Sequence, residues 1–314
     1  TGNFYRANPG ATGSISNNQI GVWRLGIFHN LAYSNASTFT ISGNTITAET
    51  YPGANKWNGL LLSSIGAAVD ATITNNNIVI PGAVSFSPPG YTAGYNVWNV
   101  TTSAPIAIEG GTVTGGDYGV FVNNYEGYTS NANNTAVTVD DVTVLDSAIA
   151  GVYVKDSPNN TNGATVYANI QNSFLHTNAT GILVQGTDAS ALANGNWIVG
   201  NSTAGVTNTS GVSINAENNF WGSCDGPGPV GPGSGDKVST NVDYDPFVNV
   251  PPAGILQALI DAASPGDTID LGPCDPYQGA TVNKPLTINL NGSTVGPGSP
   301  AFTIVADDVT INGP

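Results

Sequence analysis

Several features common in proteins are scarce in this sequence. Only six of its 314 residues are Lys or Arg, against 21 Asp and Glu, so the formal net charge is -15. Because there is no basic patch to neutralise phosphates, nucleic acid and anionic membrane surfaces are poor candidates as partners. No apolar run approaches the roughly 18 to 20 residues that a membrane-spanning helix needs. We therefore expect no membrane insertion and no nucleic-acid binding.

Methionine is absent altogether. A complete reading frame begins with Met, so we expect residues 1–314 to be a processed or excerpted piece of a longer product. The first residues, TGNFYRANPG, have neither the basic start nor the apolar stretch of a signal peptide. Few Lys, many Asn and Thr, and the acidic balance favour an extracellular or cell-surface location.

Asparagine is abundant, and eight Asn-x-Ser/Thr sequons are candidates for glycosylation. In a chain so rich in Asn, Ser and Thr, chance alone would supply most of them. The candidates are Asn35, Asn99, Asn133, Asn159, Asn178, Asn201, Asn208 and Asn291.

Helical periodicity is almost absent, and a repeated β pattern stands in its place. An Asn-x-apolar motif closes short β-rich runs at steps of 22 to 35 residues. Its apolar residues are Ile20, Ile46, Ile78, Phe174, Ile198 and Phe220, with Val113 and Val144 in degenerate copies that lack the Asn. A second series starts at Gly119, Gly151, Gly181 and Gly211, with steps of 32, 30 and 30 residues. The pattern predicts two strands per repeat that keep the same phase.

The strands alternate apolar and polar residues, as in TFTISG, ATITNN and AVTVDD, which is typical of a half-buried strand. Asn, Gly, Asp and Ser between them suit tight turns. Short strands without crossover helices predict an all-β fold, a parallel β-helix in which each coil stacks on the next. A β-sandwich is the alternative, but it gives no reason for two series to stay in phase.

One segment departs from the strand pattern. In residues 254–263, GILQALIDAA, the apolar side chains recur at helical spacing, and Ser264-Pro265-Gly266 follows. This predicts a short amphipathic helix that covers the open end of a solenoid. Strand patterns resume at once. Ile269, Ile288 and Ile311 are 19 and 23 residues apart, and we expect them to be rung residues, the apolar strand residues that stack from one coil to the next.

Two segments resemble secreted right-handed parallel β-helix repeat proteins, which are related in fold to the pectin lyases. ILQALIDAASPGDTIDLGPCDPYQGATVNKPLTI is similar to the cap and first coils of that family. NNFWGSCDGPGP with GSGDKVSTNVDYDPF, residues 218 to 247, is similar to its terminal coil and closing loop. The resemblance implies a right-handed parallel β-helix and secretion, and it says little about chemistry.

The closing segment precedes the opening segment in the sequence. We therefore expect main coils over residues 1–247 with a closing loop at 222–247, a Pro-rich link at 248–252, and the cap and first coils of a second β-helix over 253–314. From Ile311 to Ile20 of a following copy is 23 residues, the same step as from Ile288 to Ile311. This predicts that residues 1–247 of the next copy continue the second β-helix. The predicted junction residues are Val309, Ile311, Ile15 and Ile20.

The copies could be tandem repeats of one long polypeptide or separate chains that join head to tail by strand addition. A truncated two-domain fragment is the alternative. The function that the sequence favours is an extracellular structural protein whose units form a filament or surface array. Copies of itself are the expected partner, and cell-surface glycans are a second one.

The two cysteines, Cys224 and Cys274, are expected to form a disulfide in an oxidising compartment, and two buried thiols are the alternative. Four acidic residues in the Gly-rich closing loop are weak candidates for a structural calcium site, the one cofactor that the sequence leaves open. They are Asp225, Asp236, Asp243 and Asp245.

No catalytic residues are predicted. Six scattered basic residues do not supply the base of a polysaccharide lyase, and the adjacent acidic pairs at 140/141 and 307/308 are expected to mark turns. His29 and His176 are expected in loops or turns. A carbohydrate-binding or polysaccharide-active β-helix module is the alternative function. Its candidate sugar-stacking residues are aromatics expected in long loops: Trp57, Tyr91, Tyr95, Trp98, Tyr118, Tyr125 and Tyr128.

Overall fold

The structure is a computed structural model that describes residues 3–5, 12–22, 25–30, 37–49, 56–63, 69–81, 90–98, 105–124, 134–296 and 300–313. It is an all-β parallel β-helix with one short helix, as predicted. The strands up to residue 243 are β1 (Asn3–Tyr5), β2 (Thr12–Ser16), β3 (Gln19–Val22), β4 (Leu25–Asn30), β5 (Ser37–Ser42), β6 (Thr45–Ala48), β7 (Lys56–Ser63), β8 (Val69–Ile80), β9 (Tyr91–Trp98), β10 (Ile106–Gly115), β11 (Tyr118–Asn123), β12 (Thr135–Asp140), β13 (Thr143–Leu145), β14 (Ala150–Lys155), β15 (Val166–Gln171), β16 (Phe174–His176), β17 (Thr180–Gln185), β18 (Ala189–Asn194), β19 (Trp197–Val199), β20 (Ala204–Asn208), β21 (Ile214–Asn215), β22 (Pro227–Pro229), β23 (Gly235–Val238) and β24 (Val242–Asp243).

These strands form two parallel sheets that face each other across one apolar core. The first sheet has ten strands in the order β1-β4-β7-β9-β11-β14-β17-β20-β23-β22. The second has 14 strands. Most coils contribute two short strands to it, whereas β8 and β10 are long strands that each pair with both short strands of a neighbouring coil. These two long strands join the two sets of short strands into one sheet. Parallel pairing between each coil and the next satisfies the backbone groups of the interior strands.

The rung series predicted from the sequence is correct in period but shifted at two positions. Val144 pairs with Leu175, which pairs with Ile198, so Leu175 rather than Phe174 is the inward residue of its coil. Phe174 instead lies in register with Trp197, which bridges to Phe220. The side chains of Phe174 and Phe220 therefore lie on the outside of the main coils, because successive strand residues point to opposite faces.

The glycine series contains more members than the sequence suggested. A layer of seven glycines runs in register through the first sheet, one in each of seven consecutive strands. Its members are Gly26, Gly59, Gly94, Gly119, Gly151, Gly181 and Gly205. The predicted fourth member, Gly211, is wrong: it lies outside the strands, and Gly205 occupies its place.

The predicted cap helix is confirmed as α1 (Ile255–Ala262), with Gly254 at its N-terminal boundary and Ala263 at its C-terminal boundary. It is followed by β25 (Thr268–Asp270), β26 (Ala280–Val282), β27 (Thr287–Asn289), β28 (Phe302–Ile304) and β29 (Thr310–Asn312). These strands form two separate parallel sheets, β25-β27-β29 and β26-β28. Ile269, Ile288 and Ile311 stack in register, as the rung spacing predicted.

The helix covers the apolar side of this second, shorter β-helix. Ile255, Leu256, Leu259 and Ile260 are buried in one cluster with residues of β25 to β27. The same cluster contains Phe174 and Phe220 of the main coils. The outward phenylalanines are thus the apolar surface on which the second β-helix packs. None of the described helices is long and apolar enough to cross a membrane.

Candidate assembly interface

Buried asparagines join the coils of the main β-helix at the turn before the rung strand. The Nδ2 atom of Asn44 donates hydrogen bonds to the Ile15 carbonyl oxygen and to Asn76 Oδ1, both at 2.9 Å. The backbone N–H of Asn44 donates to the same Oδ1 atom at 3.1 Å. Asn76 Nδ2 in turn donates to the Ile41 carbonyl oxygen at 3.0 Å. Each asparagine therefore connects two coils and satisfies polar groups that are hidden from water.

The same arrangement recurs further along the chain. Asn196 donates from Nδ2 to the Ile170 carbonyl oxygen at 2.9 Å and to Asn219 Oδ1 at 3.0 Å. A separate ladder runs from Asn178 to Asn201, whose Nδ2 atom donates to Asp236 Oδ2 at 2.7 Å. We call each of these series an asparagine ladder. All have one polarity, because the earlier coil donates its N–H to the side-chain oxygen of the next coil.

The first asparagine ladder stops at an open edge. Within the described residues, β2 pairs only with β5 and β3 pairs only with β6, so their other sides have no strand partner. Asn18 lies between them, and its Nδ2 atom donates to Asn44 Oδ1 and to the carbonyl oxygen of its own Ser16. Ile15 and Ile20 are half-buried here. Unpaired parallel strands of this kind are ready to accept another strand.

A second open edge lies at β29. Within the described part of the chain, β29 pairs only with β27, and β28 only with β26. Val309 and Ile311 are half-buried, and Ile304 and Val305 are 51% and 65% exposed. The predicted junction residues are therefore divided between two edges of one chain, Ile15 and Ile20 on one and Val309 and Ile311 on the other.

The two β-helices are joined by a disulfide as well as by the apolar cluster. Cys224 and Cys274 are bonded, with their Cα atoms 5.2 Å apart. A cleft of about 410 Å³ runs beside this joint, between His176 of the main coils and Leu259 of α1. His176 Nδ1 donates to the Val199 carbonyl oxygen at 2.7 Å, and burial lowers its pKa. The Asp146, Asp267 and Asp270 side chains at the rim of the cleft are exposed.

The calcium candidates have separate surroundings. Asp225 accepts hydrogen bonds from Ser223 Oγ and from the N–H and Oγ of Ser234. Asp236 is the last member of an asparagine ladder, while Asp243 and Asp245 are exposed. Among the residues that the structure describes, no group of three or more His, Cys, Asp or Glu side chains is arranged to hold a metal ion. A structural calcium site at these residues stays a prediction.

Asp236 has the most unusual electrostatic environment of these residues. Its carboxylate lies among protein atoms, and this desolvation raises its pKa to about 6, against the opposing effect of hydrogen bonds from Asn201 and Gly200. The donors are Asn201 Nδ2, Asn201 N–H and Gly200 N–H, at 2.7, 3.0 and 2.9 Å from its oxygens. Asp236 thus has a structural role at the end of the ladder.

The sequon asparagines are divided between buried and exposed positions. Asn178, Asn201 and Asn208 are 0%, 8% and 5% exposed, and their Nδ2 atoms donate hydrogen bonds inside the fold. The glycosylation prediction does not fit these three positions in the folded chain, because a glycan is attached at Nδ2. Asn159 and Asn291 are exposed. Asn35, Asn99 and Asn133 lie outside the described residues.

The aromatic and histidine predictions need correction. Five of the aromatics expected in loops lie in strands β7, β9 and β11, since strand pairing continues through them: Trp57, Tyr91, Tyr95, Trp98 and Tyr118. Tyr125 and Tyr128 lie outside the described residues. His29 and His176 lie in β4 and β16, not in loops or turns.

Comparison with known proteins adds no relative. No protein-family model, curated protein or solved structure matches this chain.

Proposed function

We propose that the chain is an extracellular structural protein of the secreted β-helix repeat type, whose units join end to end into a filament or surface array. Copies of the chain are its partners, either as tandem repeats of one polypeptide or as subunits joined head to tail. The proposal assigns no catalytic residue and no cofactor.

One observation carries this proposal: the described residues leave an unpaired parallel edge on each of the two β-helices. Both edges have the same strand polarity as a continuing solenoid, so the β29 edge of one copy can add to the β2 and β3 edge of another. Such a contact joins two different surfaces and propagates, unless rotation closes it into a ring. The disulfide and the apolar cluster would transmit tension between the two β-helices of each unit.

Extracellular placement has independent support. A disulfide between Cys224 and Cys274 is the state expected in an oxidising compartment. The predicted glycosylation is retained only for the exposed Asn159 and Asn291 and for the three sequons outside the described residues.

The proposal is tested by measuring self-association of the purified 314-residue chain. Sedimentation velocity over a range of protein concentrations gives the masses of the particles formed. We expect particles with masses that are multiples of 31.9 kDa. Ile311→Asp should abolish them by placing a charge on the β29 edge. Val250→Asp adds the same charge at an exposed position in the Pro-rich link and should leave assembly unchanged. A wild-type chain that stays monomeric at every concentration would refute the proposal.

A second candidate is a carbohydrate-binding or polysaccharide-active module. The observation in its favour is an aromatic cluster on the outer face of β9, β11 and β14. Phe121 stacks on Tyr153 with ring centroids 5.1 Å apart, and Tyr91 meets Phe121 edge-on at 5.3 Å. Phe121 and Tyr153 are only 6% and 5% exposed, which leaves little ring surface for a sugar. Reproducible glycan-array binding that Tyr118→Ala removes would favour this candidate.

A further inference from the structure

We infer a specific register for the joint between copies. Strand β29 of one copy pairs with β3 of a second copy, so that Thr310, Ile311 and Asn312 lie opposite Gln19, Ile20 and Gly21. This inference rests on the proposed function and names the contact that assembly would use.

The backbone before each rung strand has a recurring conformation. A residue with positive φ stands three positions before the inward rung residue: Asn75 (54°) precedes Ile78, and Asp141 (56°) precedes Val144. The two edge strands have the same feature. Asn17 has φ 58° three residues before Ile20, and Asp308 has φ 56° three residues before Ile311. Both edges therefore turn into their rung strand at the same point of the coil.

The polarity of the asparagine ladder also matches at the two edges. The residue after the positive-φ position donates its N–H to the side chain one coil further on, as Val142 does to Ser173 Oγ at 3.2 Å. Val309 occupies this position before β29. Within the described residues, its N–H has no acceptor and Asn18 Oδ1 has no donor. In the inferred register these two groups come together.

The Nδ2 atom of Asn18 also differs from its counterparts in later coils. In the next coil, Asn44 Nδ2 donates to the carbonyl oxygen of Ile15, which stands three residues before Asn18. Among the described residues, no strand stacks on the open side of β2 and β3 to offer Asn18 such an acceptor, and its Nδ2 atom donates to its own Ser16 carbonyl oxygen at 3.0 Å. A docked copy would supply the equivalent acceptor at Ala306, three residues before Val309. Asn18 thus carries an unused bonding pattern that β29 of a second copy completes.

The register is tested by cysteine cross-linking on exposed positions of the two edges. Thr310, Gln19 and Ser14 are all exposed, and the native cysteines are already bonded. We expect mild oxidation of the Thr310→Cys, Gln19→Cys double variant to produce covalent multimers of the 31.9 kDa chain on a non-reducing gel. The matched Thr310→Cys, Ser14→Cys variant has the same edges in the wrong register and should give none.

Asn18→Ala supplies a separate measurement. Loss of its ladder bonds should weaken association about tenfold, the effect of one hydrogen bond at the upper end of the usual range. Gln19→Ala, which removes an outward side chain next to it, should have no comparable effect. Circular dichroism of both variants checks that the coils remain folded.

The outcomes separate the two proposals. Light scattering can show multimers while the Ser14→Cys double variant cross-links, or while neither double variant cross-links. Either result overturns the register and leaves end-to-end assembly valid. A chain that never associates overturns the proposed function and the joint together. Equal association of the Asn18→Ala and Gln19→Ala variants also contradicts the ladder contact.

Discussion

At the scale of single residues, this fold is held by polar groups in its interior. Asn44, Asn76, Asn196 and Asn219 are fully buried. A buried amide costs free energy unless its donors and acceptors are paired, and here each one bonds across coils. The sequence shows the repeated Asn-x-apolar motif, but its turn propensity alone does not tell whether the amide points inward. Only the stacking of coils shows that these side chains form continuous ladders.

Asp236 leads to a prediction about pH. Its pKa of about 6 in the folded chain lies above the ordinary value of 3.8, so the folded state binds this proton more tightly than the unfolded state. Its contribution to stability is complete below pH 4 and is lost as the pH rises through 6. Between pH 4 and pH 7, we expect the free energy of unfolding of wild type to fall by roughly 1 to 3 kcal/mol relative to that of Asp236→Asn, allowing for partial solvent exposure of Asp236.

Urea unfolding of both proteins at the two pH values measures this difference, and the comparison removes the effect of the other carboxylates. At pH 4 the variant is expected to be less stable than wild type, because an Asn Nδ2 cannot accept the Gly200 N–H, and the difference should shrink as the pH rises to 7. If wild type instead gained stability relative to the variant at high pH, the three hydrogen bonds to the Asp236 carboxylate would outweigh its desolvation.

At the scale of elements, close approach between the two sheets determines where glycine is required. A Cβ added at Gly119 would lie 2.6 Å from the Gly151 carbonyl oxygen and closer still to Val144 Cγ1. Those neighbours belong to the next coil and to the facing sheet, so neither can move without disturbing the stack. The seven-glycine layer is a packing requirement, and a regular spacing is only its indirect sign.

This requirement can be measured with one substitution and its matched control. We expect Gly119→Ala to lower the free energy of unfolding by about 3 kcal/mol through overpacking. Gly211→Ala should change it by less than about 0.5 kcal/mol or raise it slightly, because nothing lies within 4 Å of the added Cβ. Chemical denaturation provides both values, and equal effects would contradict the packing requirement at Gly119.

The helix was predictable because its pattern is local. Ile255, Leu256, Leu259 and Ile260 share one face by sequence spacing alone, and all four are buried. The register between coils was harder to predict from the sequence, because insertions of varied length separate the repeats. Phe174 satisfied the apolar pattern as well as Leu175 did, and only strand pairing distinguishes the inward residue from the outward one.

At the scale of the whole molecule, the disulfide links the two β-helices, which in the described part of the chain also share packing contacts and a connecting segment. The bonded cysteines are 50 residues apart. The loop-entropy model gives a stabilisation of about 4 kcal/mol for a loop of this length. We expect a reducing agent to lower the stability of wild type by a comparable amount and to leave Cys224→Ser, Cys274→Ser unaffected.

Unfolding followed by tryptophan fluorescence with and without the reductant measures this effect. Buried Trp221 lies close in sequence to Cys224 and serves as a reporter. No change on reduction would mean that the apolar cluster alone joins the two parts. A reductant effect in the double serine variant would indicate another cause.

The class of fold follows from the amino-acid sequence alone, because the alternation of apolar and polar residues and the turn residues are local and recur in each coil. The rung spacing of the second β-helix follows from it too, since Ile269, Ile288 and Ile311 stack as predicted. Three further features depend on the folded structure: which residues face outward, which amides form ladders and where the second β-helix packs. Those features depend on contacts between residues far apart in the chain, and no local pattern contains the distances that select them.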